Sequence, residues 1–201
     1  MVDWDERFRT GQYPREPEPS TLLKRYVESL PRGRALDVAA GTGRNAVFLA
    51  DRGYRVDALD ASRAGLEIAR ERAADRGAVD RLNCIQGDVP IYEFPSEAYD
   101  LVTISFYRAI DRFPDITAAL KAGGVLFVEH HLRTTDAVAS GPSGDRYRFA
   151  ANELLHASLD LTVLRYDARS ETRDDGRTVA IARIVARKSS GAKQSYPSID
   201  G

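Results

Sequence analysis

Two patterns of apolar and polar positions alternate along most of the chain. Short apolar runs predict buried strands, and stripes of apolar residues at helical spacing predict helices packed beside them. The run 35–39 precedes a helix predicted over 44–52, and the run 54–59 precedes a helix that begins near Ser62. Further apolar runs are found at 82–86, 100–105 and 123–129. This alternation predicts a parallel sheet with right-handed crossovers and helices on both faces.

The end of the chain follows a different pattern. The apolar runs 160–167 and 178–186 have no helical stripe between them, and Asp174-Asp-Gly176 is a turn signal typical of hairpins. We therefore expect an α/β, Rossmann-like, doubly wound sheet of seven strands, mostly parallel, with a C-terminal antiparallel hairpin.

The segments that flank this pattern are predicted to differ from it. Residues 20–188 form the expected domain, with a first helix over 20–30 that Ser20 caps. Residues 1–19 show no period, and their aromatic side chains fit either a structural flap or a lid over a ligand site. These aromatic residues are Trp4, Phe8 and Tyr13. The small and polar tail 189–201 is predicted to be disordered.

Composition excludes several classes of function. The chain of 201 residues has 29 basic and 30 acidic residues, a balance that argues against nucleic-acid partners. A single cysteine, Cys84, excludes an intrachain disulfide and favours a reducing compartment. No apolar run has membrane-spanning length, and no signal peptide is seen. We expect a cytoplasmic monomer or homodimer that does not bind membranes.

The most informative motif is a glycine turn between the first strand and its helix. Gly41-Thr-Gly43 permits a tight turn and a close approach of a ligand to the backbone. The helix that follows presents free N–H groups and a partial positive charge. Together with Ala46, the turn also satisfies the dinucleotide fingerprint, so it fits more than one nucleotide-like cofactor.

Three acids narrow the choice of cofactor. Asp37 lies inside the first strand, where it would repel a pyrophosphate and attract a sulfonium or ammonium group. Asp60 ends the second strand and can accept ribose hydroxyls, and Asp88 follows the third strand and can accept the adenine amine. Each has a structural alternative, because Asp37 and Asp60 can cap neighbouring N–H groups and Asp88 can be a turn residue.

These motifs in combination resemble those of the class I S-adenosylmethionine-dependent methyltransferases. The resemblance covers roughly residues 20–187 and includes Leu36–Gly43, Asp60, Gln86–Asp88 and Tyr99–Ser105. It departs from the family at Ala122, where proline is usual. It implies S-adenosylmethionine as cofactor, S-adenosylhomocysteine as product, and no metal. The implied cofactor-binding residues are Asp37, Ala39, Gly41, Thr42, Gly43, Asn45, Asp60, Ala61, Gly87, Asp88, Val89 and Ser105.

A narrower resemblance concerns the ends of the domain and the residues after the glycine turn. Trp4–Phe8, Tyr13–Pro17 and Gly41–Ala46 are similar to the tellurite-resistance, thiopurine-methyltransferase-like branch. The ending Ala182–Lys188 is similar as well. This branch implies a small-molecule acceptor such as a thiol, an amine or a chalcogen oxyanion.

Candidate catalytic residues follow the fourth and fifth strands. Arg108 is our first choice for binding an oxyanion, ahead of Arg173 and Arg177. Tyr107 and His131 are candidate general bases. His130 is a further candidate base, and the pair of histidines lacks the companions that a metal site needs. Arg44 and Asn45 are either functional or simply solvated residues of the first helical turn.

Two other functions remain compatible with the chain. The glycine fingerprint favours an NAD-dependent oxidoreductase, whereas Asp37 and the terminal hairpin oppose it. A non-catalytic module that binds S-adenosylmethionine has the same motifs as an enzyme.

Overall fold

The computed structural model describes residues 3–138, 141–142, 144–172, 176–191, 193 and 196. Seven strands form one sheet in the order β3-β2-β1-β4-β5-β7-β6. The strands are β1 (Arg34–Val38), β2 (Arg55–Asp60), β3 (Leu82–Gln86), β4 (Tyr99–Ser105), β5 (Leu120–His131), β6 (Thr162–Thr172) and β7 (Thr178–Arg187). Strands β1 to β5 pair in parallel, and β7 pairs antiparallel with both β5 and β6. The predicted fold class is confirmed.

Short helices cover the two faces of this sheet. They are α1 (Trp4–Arg9), α2 (Thr21–Tyr26), α3 (Ala46–Asp51), α4 (Arg63–Asp75), α5 (Phe113–Ala119) and α6 (Glu153–Ala157). In the described part of the chain, 3-10 turns accompany them at Val27–Ser29, Val79–Arg81, Ile110–Arg112 and Asp145–Tyr147. Helix α4 begins near Ser62 as predicted, and the Ser62 hydroxyl caps it by accepting a hydrogen bond from the N–H of Gly65 at 3.0 Å.

The core consists of two apolar layers, one on each face of the sheet. Alternate residues of a strand point to opposite faces, so Ala35 and Leu36 of β1 belong to different layers. The layer on one face includes Leu23, Leu49 and Phe127. The layer on the other face includes Leu36, Ile104, Ile116, Leu126 and Phe149. Both layers hold β1 and β4 in the centre of the sheet.

Several predicted boundaries and roles were wrong. The helix predicted from residue 44 begins at Ala46, and the fifth strand begins at Leu120 rather than at Gly123. Ser20 precedes α2 without a side-chain cap, and its hydroxyl instead donates to Glu129 at 3.4 Å. Residues 1–19, where no element was predicted, contain α1.

Parts of two predictions lie outside the described residues. The turn signal at 174–175 and Arg173 fall there, as do eight residues of the tail, at 192, 194–195 and 197–201. Within the described part of the chain, no helix is long and apolar enough to cross a membrane. Two cavities, of about 460 and about 440 Å³, open at the amino ends of the strands, beside Val125 of β5 and beside Arg34 of β1.

Candidate functional site

The glycine turn and the acid of the second strand meet at the carboxyl edge of the sheet. Asp60 ends β2, and its Oδ2 accepts a hydrogen bond of 2.7 Å from the backbone N–H of Gly41. Its Oδ1 accepts a second bond of 2.8 Å from the N–H of Ser62. The strand order reverses between β1 and β4, and ligands of doubly wound sheets bind at such a point.

Glycine is required in this turn for conformation and for space. Gly41 and Gly43 have φ angles of +54° and +77°, which side chains with a Cβ rarely adopt. A Cβ on Gly43 would lie 2.7 Å from Val47 Cγ2 and 2.8 Å from Ala69 Cβ. The turn is therefore packed directly against α3 and α4, which fixes its position relative to Asp60.

The Asp60 carboxylate retains capacity to accept further hydrogen bonds. Burial raises its pKa, while the N–H groups of Ser62 and Gly41 act in the opposite direction. Each carboxylate oxygen has two lone-pair positions, and the protein uses one on each. Two acceptor positions therefore remain, which fits the pair of hydroxyls on a ribose.

Asp37 lies deeper, beneath the turn. Its side chain is 2% exposed and accepts hydrogen bonds from the N–H of Ala46 at 2.9 Å and from the Thr103 hydroxyl at 2.7 Å. Burial raises its pKa to about 7. The capping role that the sequence left open is therefore present, and contact with a cofactor stays a prediction.

The third strand ends at the same edge. Asp88 is exposed and follows Gly87, whose N–H donates to the Asp60 carbonyl at 3.0 Å. The negative charges of Asp88 and Asp60 both raise the pKa of Tyr107, an effect secondary to the burial of this side chain. The raised pKa of Tyr107 argues against a role as general base. Val89 is buried and Ala61 exposed beside them.

Four further residues predicted to bind the cofactor lie in or near the glycine turn: Ala39, Thr42, Asn45 and Ser105. Asn45 is buried rather than solvated, because its Nδ2 donates to Ser105 Oγ at 2.9 Å and its Oδ1 accepts from the N–H of Ser20 at 3.2 Å. Ala39 has a positive φ of 55°, and the Thr42 hydroxyl donates to the Pro14 carbonyl at 3.4 Å. Asn45 thus joins the end of β4 to the start of α2.

The first helix covers the glycine turn. Phe8 is 5% exposed, and its ring contacts Gly41 and Gly65 closely enough that a Cβ on either would lie 3.0–3.1 Å from it. Asp5 Oδ1 accepts hydrogen bonds from Ser62 Oγ at 2.8 Å and from the N–H of Ala64 at 2.9 Å. These bonds lower the pKa of Asp5 to about 2. Phe8, which the sequence placed outside the periodic core, is therefore part of the packed structure.

The catalytic candidates separate into two environments. Arg108 forms an ion pair with Glu153, so its charge is already balanced within the protein. His131 is buried, and the centre of its ring lies 4.9 Å from the centre of the Phe106 ring. The guanidinium carbon of Arg44 lies 4.8 Å from the same ring centre. His130 is buried in contact with the Phe149 ring at 5.2 Å. Arg177 is exposed and immediately precedes β7, the second strand of the hairpin.

A buried acid that the sequence analysis missed lies beside Ser105. Glu129 is 2% exposed, and its Oε2 accepts a 2.7 Å hydrogen bond from Arg183 Nε. Its Oε1 lies 3.6 Å from an Arg44 guanidinium nitrogen. Arg44 also donates to the Glu18 carbonyl at 2.7 Å, so it connects β5 to the segment before α2. The only sequence signal was a lone acid near the end of an apolar run.

Comparisons with known proteins agree with this architecture. Residues 35–124 match a family described as Methyltransferase domain. The chain is 36% identical over 105 residues to the ubiquinone/menaquinone biosynthesis C-methyltransferase UbiE of Xanthomonas oryzae pv. oryzae, an alignment that covers 49% of this chain and 41% of that protein. The chain therefore spans less than half the length of this curated relative.

Solved structures share the fold over most of the chain. TehB from Haemophilus influenzae superposes with a TM-score of 0.74 at 20% identity, covering 93% of this chain and 68% of TehB. A SAM-dependent methyltransferase from Methanosarcina mazei has a TM-score of 0.68 at 15% identity, covering 86% of this chain and 99% of that structure. At these identities, the likeness concerns the fold.

The domain match over residues 35–124, the fold and the position of the glycine turn agree with the resemblance of the sequence to the class I S-adenosylmethionine-dependent methyltransferases. The fold is also that of TehB, in agreement with the narrower resemblance found in the sequence. Among the residues described, no group of three or more His, Cys, Asp or Glu side chains is arranged to hold a metal ion.

Proposed function

We propose that this protein transfers a methyl group from S-adenosylmethionine to a small-molecule acceptor. The observation that carries the proposal is the 2.7 Å hydrogen bond that joins Asp60 to the glycine turn at Gly41, with Asp88 at the end of the adjacent strand. It brings the proposed ribose acceptor, the proposed adenine acceptor and the glycine turn to one edge of the sheet. A metal is not part of the proposal.

Each part of the crevice has a proposed role toward the cofactor. Asp60 accepts the ribose hydroxyls, and Asp88, with Gly87, Val89 and Ala61, surrounds the adenine. Gly41, Thr42 and Gly43 lie along the methionine portion. Ala39, Asn45 and Ser105 complete that side of the crevice, and Asp37 acts through the turn that it supports. When bound, S-adenosylmethionine supplies a methyl group on a positively charged sulfur.

The protein's own contribution is to align the acceptor with the methyl group and to exclude water. A sulfonium donor is already activated, so holding the nucleophile in line with the methyl group provides much of the rate increase. The segment 1–19 is proposed to act as a lid, because α1 packs on the glycine turn through Phe8. Residues 20–188 form the catalytic domain, and we propose a cytoplasmic monomer or homodimer.

The acceptor is the open part of the proposal. A thiol, an amine and a chalcogen oxyanion are the acceptors that the narrower resemblance implies. The curated relative named above is a C-methyltransferase of ubiquinone and menaquinone biosynthesis, so a carbon acceptor is added to the proposed classes. All of these are small molecules, and none needs a nucleic-acid surface.

A screen for S-adenosylhomocysteine release tests the activity and the acceptor class together. Purified protein is incubated with S-adenosylmethionine and, in separate reactions, a thiol, an amine, selenite, tellurite and hydroquinone. Release above the acceptor-free rate with at least one of them is expected. Calorimetric titration provides the control. Binding of NADH without any binding of S-adenosylmethionine or S-adenosylhomocysteine would instead indicate the oxidoreductase, and cofactor binding without turnover would indicate a binding module.

A further inference from the structure

A cavity of about 440 Å³ lies at the amino ends of β1, β2 and β3, on the edge of the sheet opposite the proposed cofactor crevice. Arg55 begins β2 and Asp60 ends it, about 16 Å away at 3.3 Å per residue. Small-molecule sites have volumes of this order. The cavity is therefore a separate candidate binding site, and the residues that line it indicate which chemistry it suits.

Three arginines, one at the start of each of these strands, line the cavity. Arg34 begins β1 and pairs in register with Arg55 of β2. Val56 pairs with Leu82, and Arg55 and Arg81 lie one residue before this pair. Neighbouring strands are about 4.8 Å apart, so three positive charges follow one another along this edge. Like charges at facing positions repel, and a bound anion relieves that repulsion.

Arg34 is held in a fixed position at one end of this row. Its Nε and Nη2 donate to Asp57 Oδ2 at 3.0 and 2.7 Å, and its guanidinium carbon lies 5.0 Å from the centre of the Tyr99 ring. The buried Asp57 also accepts hydrogen bonds of 2.9 Å from the Tyr99 hydroxyl and from Asn83 Nδ2. These bonds leave the two N–H groups of Arg34 Nη1 to donate to a ligand.

The other two arginines are not engaged by the protein. Arg55 and Arg81 are exposed, and among the described residues no hydrogen bond or ion pair is made to either side chain. Two acids also line the cavity. Asp57 is already paired with Arg34, whereas Asp80 is exposed and has no ion pair within the described chain. The arginines outnumber the acids, so the cavity presents a positive charge.

We propose that this cavity binds a phosphate group, with Arg34 Nη1 as the fixed donor and Arg55 and Arg81 closing on the ligand. Guanidinium groups match the geometry of phosphate oxygens, and a dianion balances the two positive charges that the protein leaves unpaired. Inorganic phosphate and a small phosphorylated molecule share this chemistry. The site goes beyond the proposed methyl transfer and does not depend on it.

Calorimetric titration of the full chain tests this inference. Inorganic phosphate and ribose 5-phosphate are the probes and acetate is the monovalent control, all at millimolar concentration, at constant ionic strength and at about pH 8, where phosphate carries two charges. Phosphate binding that exceeds acetate binding is expected, and tighter binding of ribose 5-phosphate would identify a phosphorylated molecule as the ligand. Absence of phosphate binding, or equal binding of acetate, would overturn the proposal.

The variants Arg55→Gln and Arg81→Gln locate the site. Each removes one charge and its guanidinium donors, so phosphate affinity should fall about tenfold. Arg70→Gln, an exposed arginine of α4 outside the cavity, is the matched control and should bind phosphate as the native protein does. Native affinity in both cavity variants, or an equal loss in Arg70→Gln, would contradict the proposal.

Asp80→Asn changes the charge of the cavity in the opposite direction. Removal of this exposed acid should raise phosphate affinity about twofold to fivefold, the effect of one exposed charge. Unchanged or weaker binding in this variant would count against a site beside Asp80.

Two further measurements separate this site from the crevice and from a purely structural role. Saturating S-adenosylhomocysteine should leave phosphate affinity unchanged, and competition between the two would place phosphate in the crevice and overturn the proposal. Without phosphate, Arg55→Gln should melt no lower than the native protein, because it loses no described partner and one like charge. A lower melting temperature with native phosphate affinity would indicate a structural arginine and reject the site.

Discussion

Asp5 accepts a 2.9 Å hydrogen bond from the backbone N–H of Ala64, a residue 59 positions further along the chain. This hydrogen bond holds α1 against the start of α4, near Asp60, the last residue of β2. Helix α1, which covers the glycine turn, is therefore held in place by α4, the helix that follows the proposed ribose-binding residue Asp60.

The first prediction concerns this attachment. Asp5→Ala removes the acceptor of the Ser62 and Ala64 hydrogen bonds and should loosen α1, so S-adenosylhomocysteine should dissociate faster than from the native protein. Stopped-flow displacement measures the rate. Glu6→Gln, on the same helix, is the control, since the exposed Glu6 side chain accepts a hydrogen bond from Arg9 of α1 and none from Ser62 or Ala64 among the described residues. Equal dissociation rates for Asp5→Ala and native protein would show that α1 does not retain the cofactor.

Deletion of residues 1–16 tests the lid more broadly. The sheet and both core layers remain, so a folded domain is expected, with turnover impaired because the cover over the glycine turn is lost. Circular dichroism checks the fold, and release of S-adenosylhomocysteine measures turnover. Full activity in the truncated protein would refute the lid.

Asp60→Ala is the direct test of the cofactor site. Loss of a buried acceptor should weaken S-adenosylhomocysteine binding by about 1–3 kcal/mol in calorimetry. Asp80→Ala removes an exposed acid on the turn before β3 and should leave affinity unchanged. Because Asp60 also binds the N–H of Gly41, the melting temperature of each variant should be measured alongside. Native affinity in a folded Asp60→Ala protein would contradict the ribose assignment.

A matched pair of glycines separates backbone strain from crowding. Gly53→Ala, at a φ of +89° with open space around it, should cost about 1 kcal/mol from strain alone. Gly43→Ala adds contacts with Val47 and Ala69 and should cost about 2–4 kcal/mol. Urea unfolding measures both. Similar losses for the two variants would mean that the turn can move away from α3 and α4.

The buried Asp37 should make stability depend on pH. Its pKa is raised from 3.8 to about 7 in the folded protein, so between these values the folded state binds more protons than the unfolded chain. The free energy of unfolding should therefore decrease as pH rises from about 4 to about 7 and then level off. Urea unfolding across this range measures the slope.

The variant Asp37→Asn should reduce that decrease, leaving the part due to Asp60, whose pKa is also raised. Asp100→Asn is the control, because the pKa of Asp100 is lowered and its removal should leave the decrease in place. An unchanged slope in Asp37→Asn would show that Asp37 does not titrate in this range.

Much of the fold was predictable because it follows from local patterns in the sequence. Apolar runs identified the seven strands, and the start of α4 near Ser62 and the turn at Gly41 follow from the conformations that these residues favour. Boundaries were less predictable. The register shift between Tyr99 and Leu101 lets β5 begin earlier than its apolar run suggests, since pairing with β4 extends the strand through Leu120.

The sequence by itself determined the alternation of strands and helices, the glycine turn and the acids that follow β2 and β3, because period, turn preference and strand ends are local properties. Only the tertiary structure decided that Phe8 packs on the turn, that Asn45 joins Ser105, and that three distant arginines line one cavity. Those relationships join segments far apart in the chain. Their free energy comes from burial and hydrogen bonds formed on folding, which no local pattern records.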